Sequence, residues 1–343
     1  MSSNYKKSKM TLIQAITPIN EKEEKNKFIT SKKFYPQFEY SKLNFNPDKE
    51  IEKLNEKKFG GYLAKQRKEK NKELILLNKI KKSVSSPEFL ELNLQLYGSP
   101  NQELVEEAMK NLKEIDFEKE KKYITHDTLI DRIHFKLKKY HLYNWKVYEA
   151  KNNIFSIVPS CNIIFVPKKI YGENEIKRLF LHEIDVHVLR TCNGLRQVYS
   201  KLFAGGTSKY IETEEGLALY LQELNGLLNK ESLIKISANV VSVNNMIKGE
   251  SFRKTYEMFR DLGFGMDFAW DRTMRAYRGG GFTKDYLYFS GLKKVKQFHL
   301  QGNDLKQLYL GKISIDDLKW IDPLIERGVL KKPVFLPHCR LSL

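Results

Sequence analysis

Two of the seven histidines in this 343-residue chain stand five residues apart, in Leu181-His182-Glu183-Ile184-Asp185-Val186-His187. A histidine pair with a glutamate beside the first is the pattern of metal-assisted hydrolysis, and the common zinc proteases carry it as H-E-x-x-H. Here the spacing is H-E-x-x-x-H, one residue longer. Five residues of a regular α-helix turn through roughly 500°, about 140° past a full turn, so the two imidazoles do not share a face. A π-bulge absorbs the extra residue and returns His187 to the side where His182 points, so the metal reading requires one here. A catalytic zinc takes three protein donors and leaves a fourth position for water, so the pair needs a third donor, commonly a carboxylate. Thr213-Glu214-Glu215-Gly216-Leu217-Ala218 offers two adjacent acids behind a threonine placed to cap a helix, and either glutamate serves on chemistry alone.

These residues need elements to position them. Helical patterns run over 49–82 and 87–115, the second interrupted at Ser99-Pro100 before a further helix from Asn101, and 126–140 continues the helical character. Trp145 to Ala150, Ile154 to Val158 and Asn162 to Val166 are short and rich in β-branched and aromatic residues, which predicts strands. The last of them is placed to be an edge that holds an extended peptide. Glu175 to Thr191 resumes a helical pattern that stops at Asn193-Gly194, and a further helix opens near Thr213. Gly279, Gly280 and Gly281 read as a flexible break, and 305–325 as two short helices. Aromatic residues from Phe34 to Phe45, beside Pro36 and Pro47, suggest an extended segment lying on the folded body.

Composition bounds the rest. With 41% hydrophobic and 12% aromatic residues the chain has a core to bury, and no stretch nears the roughly 18 apolar residues of a membrane span. The first residues lack the apolar stretch of a secretory signal, and Cys161, Cys192 and Cys339 have no paired spacing, so a reducing cytoplasm is expected. Residues 1–85 hold 21 Lys or Arg against 10 Asp or Glu, so most of the net charge of +18 is N-terminal. That arm lacks the aromatic and glycine interleaving of a nucleic-acid module; an acidic protein tail is the better partner for it.

His182 to Asn193 (HEIDVHVLRTCN), taken with Glu214 to Ala218 (EEGLA), resembles the bacterial QEGLA-motif proteins, which are similar to the eukaryotic microtubule-associated tyrosine carboxypeptidases. The resemblance extends through Leu96-Tyr97-Gly98, Arg278, Phe282 to Asp285 and Gly291, covering about residues 35–335. Glu214 stands where the bacterial motif has Gln, and the eukaryotic relatives resemble the Thr-Glu-Glu form. What the resemblance implies is a zinc metallopeptidase with one Zn2+, His182, His187 and Glu215 as ligands, and Glu183 as general base. It implies a carboxypeptidase that removes a C-terminal residue, tyrosine or another aromatic. The rival readings are a dipeptidyl peptidase or aminopeptidase, and a non-catalytic zinc-binding regulator.

Such an enzyme needs a cation for the substrate's terminal carboxylate, for which Arg278 and Lys284 are the candidates, and an oxyanion donor, for which Tyr286 and Tyr288 are. Arg190 is expected to brace the metal helix through a carboxylate, Cys192 to be a small core residue, and Glu214 to be an acid at a helix N-terminus. The expected fold class is α+β, mostly helical, with a small sheet next to the H-E-x-x-x-H helix. The expected division is a disordered basic lead (1–30), a helical region (31–142) and the catalytic region (143–343).

Overall fold

The computed structural model describes residues 11–43, 60–114, 122–150, 155–158 and 161–342. In chain order the elements run α1 (Leu12–Ala15), α2 (Glu21–Thr30), α3 (Gly61–Lys82), α4 (Glu88–Tyr97), α5 (Gln102–Asn111), β1 (Tyr123–Ile124), α6 (His126–Lys139), β2 (Lys146–Glu149), β3 (Ser156–Val158), β4 (Ile163–Val166) and β5 (Tyr171–Gly172). They continue with α7 (Glu173–Leu179), a π-helical segment (Phe180–Val188), α8 (Leu189–Leu195), α9 (Ser200–Gly205), α10 (Tyr210–Leu224), α11 (Lys230–Ile247), α12 (Phe252–Asp261), α13 (Met266–Tyr277), α14 (Leu287–Leu300) and α15 (Leu318–Glu326). The chain is mostly helical with small sheets, as its patterning predicts. Among the described residues no helix is long and apolar enough to cross a membrane.

Two compact units form, residues 1–115 with 233–289 and residues 116–232 with 290–343. Each is discontinuous in sequence. Within the lead, 1–30, the described residues from 11 onward carry α1 and α2. Of its apolar side chains, Leu12, Ala15, Ile16 and Phe28 are buried, while Ile19 and Ile29 are exposed. Phe28 lies 4.9–5.4 Å, centroid to centroid, from the rings of Phe252, Tyr256 and Trp270. Arg253 fastens the end of α2 by donating to the carbonyls of Phe28, Ser31 and Phe34. The lysines between these anchors dilute the apolar signal in sequence without weakening the anchors. The extended aromatic segment is present in part: Phe38 packs on Phe252 and Trp270, while Phe45 and Pro47 lie outside the described residues.

Leu12, Ile16, Ile80, Phe89 and Phe282 form a buried cluster in the same unit. The glycine run expected to be a flexible break is a packed turn beside that cluster. Gly279, Gly280 and Gly281 take φ of 71°, 106° and 125°, and a Cβ on Gly279 would come within 2.7 Å of the Phe89 ring. Glycine is there for its left-handed φ and for the close approach of Phe89.

In the second unit, β4 is the centre of a three-stranded sheet ordered β2-β4-β3, parallel to β2 and antiparallel to β3. Both of its edges are occupied by neighbouring strands, so it is not the peptide-holding edge the sequence suggested. A two-residue ladder, Ile124 opposite Tyr171, joins β1 to β5, and β5 runs directly into α7. From there α7, the π segment and α8 make one continuous helical rod. The far end of the rod is clamped by the C-terminal tail. Asn193 donates to the Phe335 carbonyl and accepts from the Val334 and Phe335 amides, while Gln197 bonds the Leu310 and Lys331 carbonyls.

Helix α10 begins at Tyr210, a turn before the expected Thr213 cap. Thr213 instead sits inside the helix, its hydroxyl oxygen accepting from the Ile315 amide at 3.0 Å. One residue past the acid pair, Gly216 meets α14 backbone to backbone. A Cβ there would lie 2.2 Å from the carbonyl of Gly291. Gly216→Ala should therefore destabilise the protein by at least about 1–3 kcal/mol, the usual cost of overpacking against atoms that cannot rotate away. Gly205→Ala, a helical site with open space around its Cβ, should be neutral or slightly stabilising. Urea unfolding of the two variants checks the contrast, and equal midpoints would refute it.

Candidate functional site

The π segment covers Phe180–Val188 and so contains the whole H-E-x-x-x-H sequence. An i→i+5 ladder stacks residue i+5 above residue i, and the chain leaves the segment with the Leu189 amide still bonded to the Ile184 carbonyl. His182 and His187, five apart, thereby come to the same side, their ring centroids 4.8 Å from each other and their planes at 84°. Packing selects this register. Leu181, Ile184, Val186 and Val188 are buried, and between them Asp185 turns inward as a buried carboxylate. Asp185 accepts from Lys136 Nζ and from Tyr140 Oη, each at 2.6 Å, which ties the segment to α6. Burial, followed by the Asp185 charge, raises the Tyr140 hydroxyl pKa, so it remains a donor.

Helix α10 supplies the third donor. Glu215 Oε2 lies 3.4 Å from His182 Nε2 and 3.8 Å from His187 Nε2. Donors held about 2.1 Å from a tetrahedral ion stand about 3.4 Å apart, so the three atoms are spaced to share one. Among the described residues, His182, His187 and Glu215 are the grouped side chains that could hold a metal ion, their donor atoms all within 4.8 Å of one another. Their side chains are 11–19% exposed, which leaves the cluster reachable from solvent. Burial disfavours a charged His182, but the Glu215 hydrogen bond and the charges of Glu183, Glu215 and Glu214 outweigh it and raise its pKa. This is a site with a standing attraction for positive charge. Glu183 is half-buried on the same segment, beside His182 in sequence.

Glu214 does more than the helix-terminal acid the sequence suggested. Its buried carboxylate accepts from His187 Nδ1 at 2.8 Å and from Arg190 Nη1, and Lys312 Nζ approaches to 3.3 Å. Burial opposes the charge, yet Lys312 and Arg190, with His187, hold the carboxyl well below its usual range. An ionised carboxylate only accepts, so His187 keeps a proton on Nδ1 and turns Nε2 toward Glu215. The brace expected of Arg190 is found, and it extends further. Its other nitrogens donate to the Leu308, Gly311 and Ile313 carbonyls, so the loop that delivers Lys312 is fixed by the same guanidinium. Sequence reading missed Lys312, which is 98 positions from Glu214 and belongs to no motif. Cys192 is a buried core residue as expected, its thiol pushed up to about 11 by burial.

Arg278, Lys284, Tyr286 and Tyr288 belong to the other unit. Arg278 is buried, with Nη2 3.6 Å from Asp285 Oδ2, and lies over the Phe282 ring. Tyr286 donates its hydroxyl proton to the Tyr97 carbonyl at 2.6 Å, so that proton is already engaged. The Lys284 ammonium stands 5.8 Å from the Tyr288 ring centroid.

A model of the microtubule-associated tyrosine carboxypeptidase family matches residues 26–342. Mouse MATCAP2, which bears a provisional tyrosine carboxypeptidase name, is 26% identical over 347 residues, covering 96% of this chain and 59% of the mouse protein. The rat microtubule-associated tyrosine carboxypeptidase 1 is 29% identical over 177 residues, or 48% of this chain and 36% of its own length. Its human counterpart is 30% identical over 177 residues, 48% of this chain and 35% of its own. The chain thus spans about three-fifths or less of the relatives it matches.

Glu214→Gln keeps the shape of this support but removes its charge, and metal affinity should fall about 10- to 100-fold, as loss of a ligand's hydrogen-bond partner typically does. Because the Glu214 pKa is depressed on folding, its contribution to stability is present above the unfolded glutamate pKa of about 4.3 and is lost as pH falls below it. Chelator competition and acid unfolding of wild type and variant check both effects. An unchanged affinity together with an identical acid transition would overturn the assignment.

Proposed function

Since the chain belongs to the microtubule-associated tyrosine carboxypeptidase family, we propose that it is a zinc-dependent metallocarboxypeptidase. In this reading it removes a C-terminal residue, tyrosine or another aromatic, from a peptide or protein tail in the cytoplasm. The observation that carries the reading is the spacing of His182 Nε2, His187 Nε2 and Glu215 Oε2 at 3.4 and 3.8 Å, which fits one tetrahedral ion. Two imidazoles and a carboxylate are a donor set that zinc favours, with a fourth position left for water.

Zinc held there supplies Lewis acidity, easing deprotonation of water near neutral pH and polarising the scissile carbonyl. The remaining steps fall to the chain's own groups. Glu183 takes the proton of the attacking water on a carboxylate oxygen and passes it to the leaving amine nitrogen. Glu214 holds the His187 ring by Nδ1–H and so fixes which nitrogen faces the ion. Arg278 and Lys284 are the cations we put forward for the terminal carboxylate, and Tyr288 the hydroxyl for the oxyanion, since that of Tyr286 is engaged by Tyr97. An acidic tail suits a chain of net charge +18.

Purified wild type and Glu183→Gln should each bind one zinc, while the variant loses about 100-fold or more of the turnover, the usual contribution of a positioned general base. Cleavage should need a free C-terminus and release single residues, aromatic ones fastest. Cleavage that needs a free N-terminus instead would indicate an aminopeptidase or dipeptidyl peptidase. Stoichiometric zinc without cleavage of any peptide would indicate a regulator, and no bound metal would sink the reading altogether.

A further inference from the structure

Arg272 and Arg275 lie three apart on the last turns of α13, and Arg278 follows as the residue that caps its C-terminus. They gather around Asp285. Its Oδ2 accepts from Arg275 Nε at 2.9 Å, lies 2.8 Å from Arg275 Nη2 and stands 3.6 Å from Arg278 Nη2. Arg272 reaches sideways, Nη1 to Asn239 Oδ1 at 3.1 Å and Nη2 to Asp271. The side chains of Arg272 and Arg278 are only 12% and 6% exposed, while Arg275, at 30%, is the open edge of the group. Lys284 adds its charge to the field around Asp285.

Among the described residues the three guanidiniums pair with two carboxylates, Asp285 and Asp271, and Asp271 is 45% exposed. A guanidinium cannot shed its proton and presents five donors. Among the described residues, the buried Nε atoms of Arg272 and Arg278 have no hydrogen-bond partner. The negative end of the α13 dipole favours cations at its C-terminus but supplies no acceptor to those atoms. Clustered guanidiniums with donors to spare are the usual means of gripping carboxylate and phosphate, through paired, charge-assisted hydrogen bonds.

We propose that Arg272, Arg275 and Arg278 form a binding site for a small oxyanion, a carboxylate or phosphate group, entered past Arg275. The site is built from one unit alone and does not rest on the metal reading. Inorganic phosphate titrated into the metal-free 343-residue protein at constant ionic strength should bind saturably, with a rise in melting temperature that matched chloride does not give. Arg275→Gln, shown to be folded by circular dichroism, should weaken that binding about tenfold or more, the share of one charged contact. A short peptide with a free C-terminus and its C-terminal amide, both titrated into metal-free Glu183→Gln protein, separate the sources. Displacement of phosphate by the acid alone identifies a peptide terminus as the ligand, and displacement by neither identifies a free oxyanion. The proposal is overturned if wild type shows no saturable binding of phosphate or of the free-acid peptide, or if folded Arg275→Gln binds both unchanged. None of these measurements depends on turnover or bound metal, so its failure would remove Arg278 as a carboxylate cation and leave the His182, His187, Glu215 and Glu183 roles where they stood.

Discussion

Everything at the His/Glu cluster depends on the i→i+5 register between Phe180 and Val188. In an α-helical register His187 would rotate roughly 140° away from His182, and Glu215 would meet one imidazole instead of two. A π register is intrinsically rare, so other interactions must hold it. Asp185 does this from within, reaching Lys136 and Tyr140 from the middle of the segment. Thr191 does it from beyond, its hydroxyl bonded to the His187 carbonyl at 2.7 Å. The buried faces of Ile184, Val186 and Val188 leave no room for the rod to rotate back without exposing apolar surface.

The same constraint explains why so much charge is buried behind the cluster. Arg190, Glu214 and Lys312 are a poor investment for stability alone, because the desolvation of buried ions largely cancels their attraction. Their geometry is what an apolar replacement could not reproduce. A carboxylate locked between two cations has one remaining direction in which to accept a hydrogen bond, and His187 occupies it. Arg190, fully buried, is in turn bound to three loop carbonyls, so the orientation of one imidazole is referred back to the backbone of residues 308–313.

Much of this could be read from the sequence, and the misses share a cause. The five-residue spacing implied a π-bulge because no other local geometry joins those histidines, and short β-branched runs located the three strands near 146–166. Local patterns announced what local geometry decides. The N-terminal helices were missed because their stability comes from partners more than 200 residues away: Phe28 needs Trp270, and Arg253 holds the end of α2. Strand β4 reads as an edge because its two partners, β2 and β3, flank it in space on opposite sides while both precede it in sequence. The glycine run reads as a hinge when only flexibility is considered; Phe89 against Gly279 shows that the run is needed for space.

The pair Glu214 and Glu215 shows where residue chemistry alone stops. Two identical side chains, adjacent on one helix, diverge by about 100°, so only one of them can face the histidines' Nε2 atoms. Which one it is depends on what lies along the other direction. There, Arg190 and Lys312 create a positive pocket, and Glu214 neutralises it. Were Glu214 the donor to the cluster, that pocket would hold two buried cations without a counter-charge, an arrangement far costlier than a misplaced carboxylate. Which of the two acids faces the histidines is thus decided from behind, by cations that do not reach the histidine–Glu215 face, and Lys312 carries no motif by which the sequence could have disclosed it.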